Sequence, residues 1–504
     1  MSPLDVESAL GELLLVGVPG TEMTPAVEAT LRTLGPSGVI FFAANFADAL
    51  GAARYARAVH ALLGTPELPA LVGADEEGGM VSQLAGFWEV PPSARAVGSS
   101  GGPPLVKDLA ARTARRLLTL GVNLNFAPVL DIHSNPANPV IGIRAFGSTA
   151  SQVTACGRAA IEGTQEVGLI PVVKHFPGHG DTTLDSHVAL PRVEADAALL
   201  AFRELRPFEA AVAWGVPVVM TSHVLVPALD PDPANPATLS PAILTGLLRG
   251  KMKFEGVIVT DALEMEGVTG RGGFGEVAVR AVEAGADLLL YSKLEPGPPE
   301  ALAALRAALA SRRLAPERVA ASIERIRALR RGSAARPPEF TPAVERAARD
   351  LIPPAELERI AEGATRLLRQ GAGGIPLRSP VHVLELNRPA SRAPMADLLR
   401  AHGATAVEHD RDPAGWPPRI EGSALLTVAA RGAASADDEA TGRAWLKRFP
   451  ETVTVASLNP HVADGWPEVR TLVATFDNTP ASRRALANRL SPPPPKTKGH
   501  TGHP

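Results

Sequence analysis

Short apolar runs alternate with longer amphipathic stretches through the first two thirds of the chain. The amphipathic stretches repeat their apolar positions with the period of an α-helix, at residues 104–120, 151–168, 195–214 and 273–285. The apolar runs have the length and composition of buried strands, and they lie at residues 13–18, 38–42, 70–74, 124–129, 170–175, 216–221, 256–260 and 286–291. Strands that alternate with helices form parallel sheets, so the eight units predict an α/β fold of the (β/α)8 TIM-barrel type. A doubly wound open sheet fits less well, because no GxGxxG turn follows the first strand.

Polar residues stand at the carboxyl ends of the predicted strands, where barrel enzymes carry their chemistry. These residues are Asp75, Asp131, Lys174, His175, His223 and Asp261. We therefore expect a site at this end of the barrel.

The pattern changes after residue 331, which predicts a second domain. The barrel is expected over residues 1–331, followed by a Gly/Ala/Pro-rich linker at 332–341. Residues 342–490 predict a smaller α/β domain, with a helix at about 342–371 and four later strands. The last segment, SPPPPKTKGHTGHP at 491–504, has the composition of a disordered tail.

Composition excludes several classes of protein. The 504 residues carry 50 Lys+Arg and 53 Asp+Glu, so the net charge of −3 gives no basic field for nucleic acid. The N-terminal MSPLDVESALGELLLVGVPG has acidic residues where a secretion signal is basic, and its apolar run is too short for a bilayer. We expect a cytoplasmic protein without membrane contact, and a monomer or weak oligomer. Aromatic residues make up only 4% of the chain, which favours a small pocket-bound substrate over a long polysaccharide groove.

The stretch KHFPGHGDTTLDSHVALP at 174–191 collects more titratable groups than a buried segment needs. Asp185 and His187 are two residues apart, so in extended backbone both side chains project to the same side. A carboxylate beside an imidazole makes an acid/base pair, although such residues in a loop also commonly bond their own backbone.

Asp261 stands at the end of a predicted buried strand, in VIVTDALEM. This position suits a nucleophile, and it equally suits the N-cap of a following helix. Five further residues at or near strand ends have side chains that bind hydroxyl or carboxylate groups, although any one of them could belong to a structural ion pair. They are Asp75, Glu77, Arg144, Lys174 and His175.

Four motifs together resemble glycoside hydrolase family 3, in its bacterial β-N-acetylglucosaminidase (β-hexosaminidase) branch, over about residues 9–330. They are KHFPGHGDTTLDSH, ADEEGG at 74–79, NPVIGIRAFGS at 138–148 and VTDALEMEG at 259–267. The resemblance implies a retaining enzyme that removes terminal β-linked GlcNAc, from peptidoglycan-derived fragments, without a cofactor.

The same resemblance assigns roles to individual residues. Asp261 is implied as the nucleophile, His187 as the acid/base and Asp185 as its partner. The terminal sugar is implied to contact Asp75, Glu77, Arg144, Lys174 and His175, with Met265 lining the pocket and His179 supporting the loop. One position departs from the family, which often has Arg where this chain has Met80.

Three alternatives stay open. A related β-glycosidase or glycoside phosphorylase would act on a different sugar or use phosphate in place of water. A metal-dependent hydrolase would use a ligand set of His175, His179, Asp181, Asp185 and His187. Pro177 and Gly178 interrupt a helical alignment of those histidines, which counts against this set. A binding module descended from such enzymes would not need both the nucleophile and the acid/base pair.

Overall fold

The computed structural model describes residues 3–183, 190–333, 339–370, 375–388, 392–431, 433–459, 461–463 and 465–490. The chain divides into two compact units, Met1–Pro353 and Pro354–Pro504.

The first unit is an eight-stranded parallel barrel, as the apolar runs predict. Its strands pair in the order β7-β6-β5-β4-β3-β2-β1-β8, and a parallel bridge between Val259 and Leu288 joins the two ends of this order. The strands are β1 Leu14–Gly17, β2 Gly38–Phe41, β3 Leu71–Ala74, β4 Leu124–Asn125, β5 Ile170–Phe176, β6 Val218–Thr221, β7 Val257–Val259 and β8 Leu289–Tyr291. Every residue of β5 is buried, as expected for strands covered on both faces.

Helix α1 precedes β1, and the other helices of this unit follow the strands. The helices are α1 Pro3–Ser8, α2 Pro25–Leu34, α3 Ala49–Leu63, α4 Ala94–Thr119, α5 Ala150–Gln165, α6 Ala197–Phe202, α7 Arg206–Ala213, α8 Glu266–Thr269, α9 Gly273–Ala284, α10 Gly297–Ala310, α11 Pro316–Arg331 and α12 Pro342–Asp350. Helix α4 is broken at Gly102, whose φ of 62° is not helical. A π-helix spans Ala242–Lys251.

Two predicted elements of the barrel are shorter in the structure. The helix expected at 195–214 is two helices, α6 and α7, because Pro207 has no N–H to continue a helix and instead stands in the first turn of α7. The strand expected at 124–129 is reduced to β4, because Pro128 cannot donate to a strand ladder. Pairing resumes at Val129, which bridges to Lys174.

The second unit contains a six-stranded sheet in the order β11-β10-β12-β13-β14-β9, parallel except for the antiparallel edge strand β9. Its strands are β9 Arg366–Arg369, β10 Val381–Leu386, β11 Ala406–His409, β12 Ser423–Ala430, β13 Val453–Leu458 and β14 Thr471–Ala474. Its helices are α13 Pro354–Ala364, α14 Met395–Ala401, α15 Ala436–Arg448 and α16 Pro480–Leu490. The smaller α/β fold expected after the barrel is therefore present.

The single helix expected at 342–371 is wrong. Two consecutive prolines, Pro353 and Pro354, separate α12 from α13, and the chain then turns into β9. Helix α12 belongs to the first unit, where the buried Arg116 of α4 donates to the carbonyls of Ala348, Arg349 and Ile352. The division of the chain thus comes after α12, whereas the sequence-based expectation placed it before.

Within the described ranges, no helix combines the length and apolar character needed to cross a membrane.

Candidate active site

The buried ammonium group of Lys174 lies at the centre of a polar cluster at the carboxyl end of β5. Lys174 is 2% exposed, and its Nζ lies 2.6 Å from Oδ1 of Asp75 and 2.7 Å from Oε1 of Glu77. Burial lowers the pKa of Lys174, but the carboxylates of Asp75 and Glu77 outweigh it, so the pKa is raised overall. Lys174 is therefore charged at neutral pH, with its charge compensated by the two carboxylates.

Arg144 makes a two-point contact with the same glutamate. Its Nε and Nη2 donate to Oε2 and Oε1 of Glu77 at 2.9 and 2.8 Å. Burial raises the pKa of Glu77, but Arg144 and Lys174 pull it well below its usual range. Because the described contacts of both its oxygens are to these cations, Glu77 serves to hold Arg144 and Lys174 in place.

His175 is oriented by Asp131, a residue to which the sequence assigned no role. Nδ1 of His175 lies 2.6 Å from Oδ2 of Asp131, and Nε2 lies 3.3 Å from Nη2 of Arg144. Since a guanidinium can only donate, Nε2 accepts and Nδ1–H donates to Asp131. The other oxygen of Asp131 accepts from the backbone N–H of His179 at 2.7 Å.

Asp131 is itself completely buried and ionised. Burial raises its pKa, but His175 and His179 lower it to a net value below the ordinary range. Its position after the fourth strand was visible in the sequence. Its direction, toward His175, was not.

Asp261 follows β7 as an ionised carboxylate. Burial raises its pKa, while His223, His175, the N–H of Ala262 and Lys174 lower it to a net value below the usual range. Its Oδ1 accepts from the N–H of Ala262 at 2.7 Å. Helix α8 begins only at Glu266, after Met265 in the N-cap position, so Asp261 does not cap it.

The loop that carries Asp261 is also held by His223. Nε2 of the buried His223 lies 3.0 Å from the carbonyl of Ala262, and Nδ1 lies 2.9 Å from Oγ1 of Thr238. Met265, predicted to line the pocket, is 9% exposed on the same loop. The histidine contact restricts the backbone next to the carboxylate.

Asp185 and His187 lie outside the described residues, so the structure does not place the proposed acid/base pair. On the N-terminal side of that segment, Asp181 pairs with Arg203 at 2.6 Å. His179 bonds through Nδ1 to Oγ1 of Thr182 at 2.7 Å, and burial lowers its pKa to about 4. His179 is therefore a neutral residue that supports the loop.

Metal binding finds no support in the part of the chain that the structure covers. No group of three or more His, Cys, Asp or Glu side chains there is arranged to hold an ion. Of the proposed ligands, His175 uses Nδ1 for Asp131, His179 uses Nδ1 for Thr182, and Asp181 is paired with Arg203.

A cavity of about 660 Å³, its open mouth included, adjoins the pair formed by Arg144 and Glu77. Asn125 adds a polar group to its wall, and Leu109 and Phe146 are among its apolar lining residues. Neither Lys174 nor Asp261 is among the residues that line this cavity.

A closed parallel barrel with charged and oriented side chains at the carboxyl ends of its strands is the arrangement of a barrel enzyme that binds a small polar substrate. Comparison with known proteins identifies the family of this enzyme. The chain belongs to glycosyl hydrolase family 3, since the sequence model described as the glycosyl hydrolase family 3 N-terminal domain matches residues 5–329. The resemblance seen in the sequence motifs is thereby confirmed.

Named relatives and one solved structure agree with this membership. The chain is 33% identical to β-hexosaminidase A of Pseudoalteromonas piscicida over 286 residues, which are 54% of this chain and only 48% of that protein. It is 36% identical to a β-hexosaminidase of Methylococcus capsulatus over 285 residues, 55% of this chain and 81% of that protein. A glycoside hydrolase family 3 β-N-acetylglucosaminidase from Paenibacillus sp. str. FPU-7 superposes with a TM-score of 0.85 at 34% identity, covering 96% of both chains.

Proposed function

We propose that this protein is a retaining β-N-acetylglucosaminidase that removes terminal β-linked GlcNAc with Asp261 as nucleophile. The observation that carries the proposal is the ionised carboxylate of Asp261 at the end of β7, with Lys174 and His175 among the groups that lower its pKa. A nucleophile must be unprotonated and held in one orientation, and the bond from Ala262 N–H together with the His223 contact supplies that restraint. The β-hexosaminidase relatives support the choice of sugar.

The Lys174 cluster would bind the hydroxyl groups of the sugar. Lys174 has three N–H donors, and its described contacts to Asp75 and Glu77 use two of them. Asp75 uses one of its two oxygens for Lys174. Adjacent donor and acceptor capacity of this kind matches a hydroxyl group, which both donates and accepts.

His187, with Asp185 beside it, would be the acid/base by resemblance to the family. In the first step Asp261 attacks the anomeric carbon while His187 protonates the departing oxygen. In the second step His187 removes a proton from water, which displaces Asp261 from the same carbon. The configuration is therefore retained.

The natural substrate is proposed as a peptidoglycan-derived GlcNAc–MurNAc fragment and the location as the cytoplasm, both on the sequence alone. The low aromatic content, 4%, supports a short substrate. We also propose that the protein is a monomer or weak oligomer.

Release of nitrophenol from aryl β-GlcNAc and aryl β-glucoside tests the function. We expect kcat/KM for the GlcNAc substrate to exceed that for the glucoside by at least about 100-fold. Addition of a chelator should not lower the activity. Preference for the glucoside would show that the enzyme removes glucose rather than GlcNAc. A sugar phosphate as the main product in phosphate buffer would identify a phosphorylase, and loss on chelation restored by zinc would identify a metal-dependent hydrolase.

A further inference from the structure

Glu76 stands between two residues of the site, Asp75 and Glu77, but its side chain turns into a different set of contacts. It is 3% exposed. Its carboxylate accepts from Oγ of Ser82 at 2.7 and 2.9 Å and from the backbone N–H groups of Gln83 and Leu84 at 2.8 and 3.2 Å. A single buried carboxylate thus holds three consecutive residues of the loop after β3.

Gln83, the middle of these three residues, contacts the backbone of Asp75 through its side chain. Nε2 of Gln83 donates to the carbonyl of Asp75 at 3.1 Å, and its Oε1 accepts from the N–H of Ala43, just after β2, at 2.6 Å. The backbone of Glu76 is fixed separately by Asn125 of β4, which accepts from its N–H and donates to its carbonyl, both at 3.0 Å. Asp75, Glu76 and Gln83 therefore form a closed ring of bonded groups.

We infer that Glu76 is a positioning residue for sugar binding, which acts through Gln83 on Asp75. The carboxylate fixes the backbone of Gln83, and the side chain of Gln83 then fixes the carbonyl of Asp75. This ring holds the carboxylate of Asp75 against Lys174, at 2.6 Å. The role depends on the negative charge of Glu76, because a carboxylate accepts from all three groups at once through charge-assisted hydrogen bonds.

The state of that charge changes near neutral pH. Burial raises the pKa of Glu76 to about 7, against the opposing effects of Ser82, Gln83 and Leu84 and of Arg116, which faces it from α4. Asp75 and Glu77 flank it along the chain. A protonated carboxyl must use its O–H as a donor, so the bond with the Ser82 hydroxyl reverses and the loop is held by weaker, neutral hydrogen bonds in place of charge-assisted ones. Sugar affinity should accordingly weaken as pH falls from 8 to 6.

The variant Glu76→Gln removes the titration without removing the shape. Its amide oxygen accepts from Gln83 and Leu84, and its NH2 group donates to Ser82, so it imitates the protonated state at every pH. The matched control is Glu12→Gln, which replaces a carboxylate that pairs with Arg327 at 2.6 Å and precedes β1, at the opposite end of the barrel.

The test is calorimetric titration with N-acetylglucosamine from pH 5.5 to 8.5, and it rests on the proposed function. We expect Glu76→Gln to bind about threefold to tenfold more weakly than wild type at pH 8 and equally at pH 5.5, with a midpoint near 7. Its kcat on the aryl glycoside should stay within about twofold of wild type. The ratio of dissociation constants for Glu12→Gln should be constant with pH, even where its melting temperature falls.

A pH-independent ratio for Glu76→Gln would overturn the inference while leaving the proposed function intact. Failure of wild type to bind the sugar would overturn the proposed function, and the inference with it. Should Glu76→Gln not fold, Gln83→Ala replaces it, because it cuts the link to Asp75 but keeps the backbone N–H contacts to Glu76. That variant should bind the sugar more weakly, and wild-type affinity in it would overturn the inference.

Discussion

At the scale of single residues, the site is organised by charge compensation. Lys174 and Arg144 share the buried carboxylate of Glu77, while Asp75 contacts Lys174 from a second direction. Removing one partner of such a group leaves an uncompensated buried charge, which costs more than the pair itself contributes. The proposed sugar binding and the stability of the fold therefore depend on the same side chains.

Replacing Lys174 with Met tests this coupling. We expect kcat/KM to fall by at least about 100-fold, and the free energy of unfolding by about 3–5 kcal/mol, because Asp75 and Glu77 lose their common cation. Steady-state kinetics and denaturant unfolding measure the two effects. The control is Lys107→Met, whose ammonium pairs with the exposed Glu166 and should change neither quantity. Unchanged stability in Lys174→Met would show that the cluster is not compensated as described.

Residues of this site differ in how visible they are in the sequence. Asp75 and Asp261 stand directly after predicted apolar strands and Lys174 lies near the end of one, so strand alternation alone predicts that they gather at one end of the barrel. Asp131 occupies an equivalent position, yet its role depends on the direction of its side chain. Glu76 looks like its neighbour Glu77 in sequence, and only the contacts to Ser82–Leu84 separate their functions.

At the scale of elements, the strands were more predictable than the helices. Buried parallel strands are short, continuous apolar runs, and each of the eight lies within or overlaps its predicted range. For helices, in contrast, the apolar residues can keep a helical spacing along the sequence even where one helix ends and another begins. The predictions at 195–214 and 342–371 failed for this reason, and the prolines that interrupt them were the available signal.

Helix α12 depends on one residue of α4. Arg116 is 1% exposed and donates to four backbone carbonyls, those of Glu89, Ala348, Arg349 and Ile352. Such a residue is not identifiable from the sequence, since arginines in a helical period usually face solvent.

Arg116→Met should lower the free energy of unfolding by about 3 kcal/mol, because several buried carbonyls lose a charged donor. Amide hydrogen exchange should accelerate across residues 342–352. The matched control is Arg115→Met, one position earlier on the same helix and exposed, with an expected change of less than about 0.5 kcal/mol. Equal protection of 342–352 in both variants would contradict the anchoring role.

At the scale of the whole molecule, buried carboxylates make the free energy of unfolding depend on pH, and they do so in two opposite directions. The lowered pKa values of Glu77, Asp131 and Asp261 mean that these groups stabilise the fold above their unfolded pKa near 4, and that this contribution is lost as pH falls through the folded values. Glu76 has the opposite sign. Because its pKa is raised, Glu76 contributes stability that is fully present below pH 4.5 and is lost as pH rises to about 7.

Glu76→Gln should therefore stabilise the protein at pH 8 and have little effect at pH 4.5. The shift of Glu76 from 4.5 to about 7 corresponds to a gain on the order of 3 kcal/mol at pH 8. Denaturant unfolding at the two pH values measures it. A gain of equal size at both would show that the amide acts through packing rather than charge. Combined with weaker sugar binding at pH 8, the expected gain means that the ionised Glu76 favours binding at the expense of stability.

The central claim, a covalent intermediate on Asp261, is tested most directly by trapping it. A 5-fluoro-N-acetylglucosaminyl fluoride slows both steps but supplies a good leaving group, so the glycosyl-enzyme accumulates. Peptide mass spectrometry of the inactivated protein should find one added fluorosugar, on the peptide that contains VTDALEMEG and at Asp261 itself. Asp261→Ala should take up no label. A label on another residue, or turnover of the reagent by Asp261→Ala at the wild-type rate, would contradict the account.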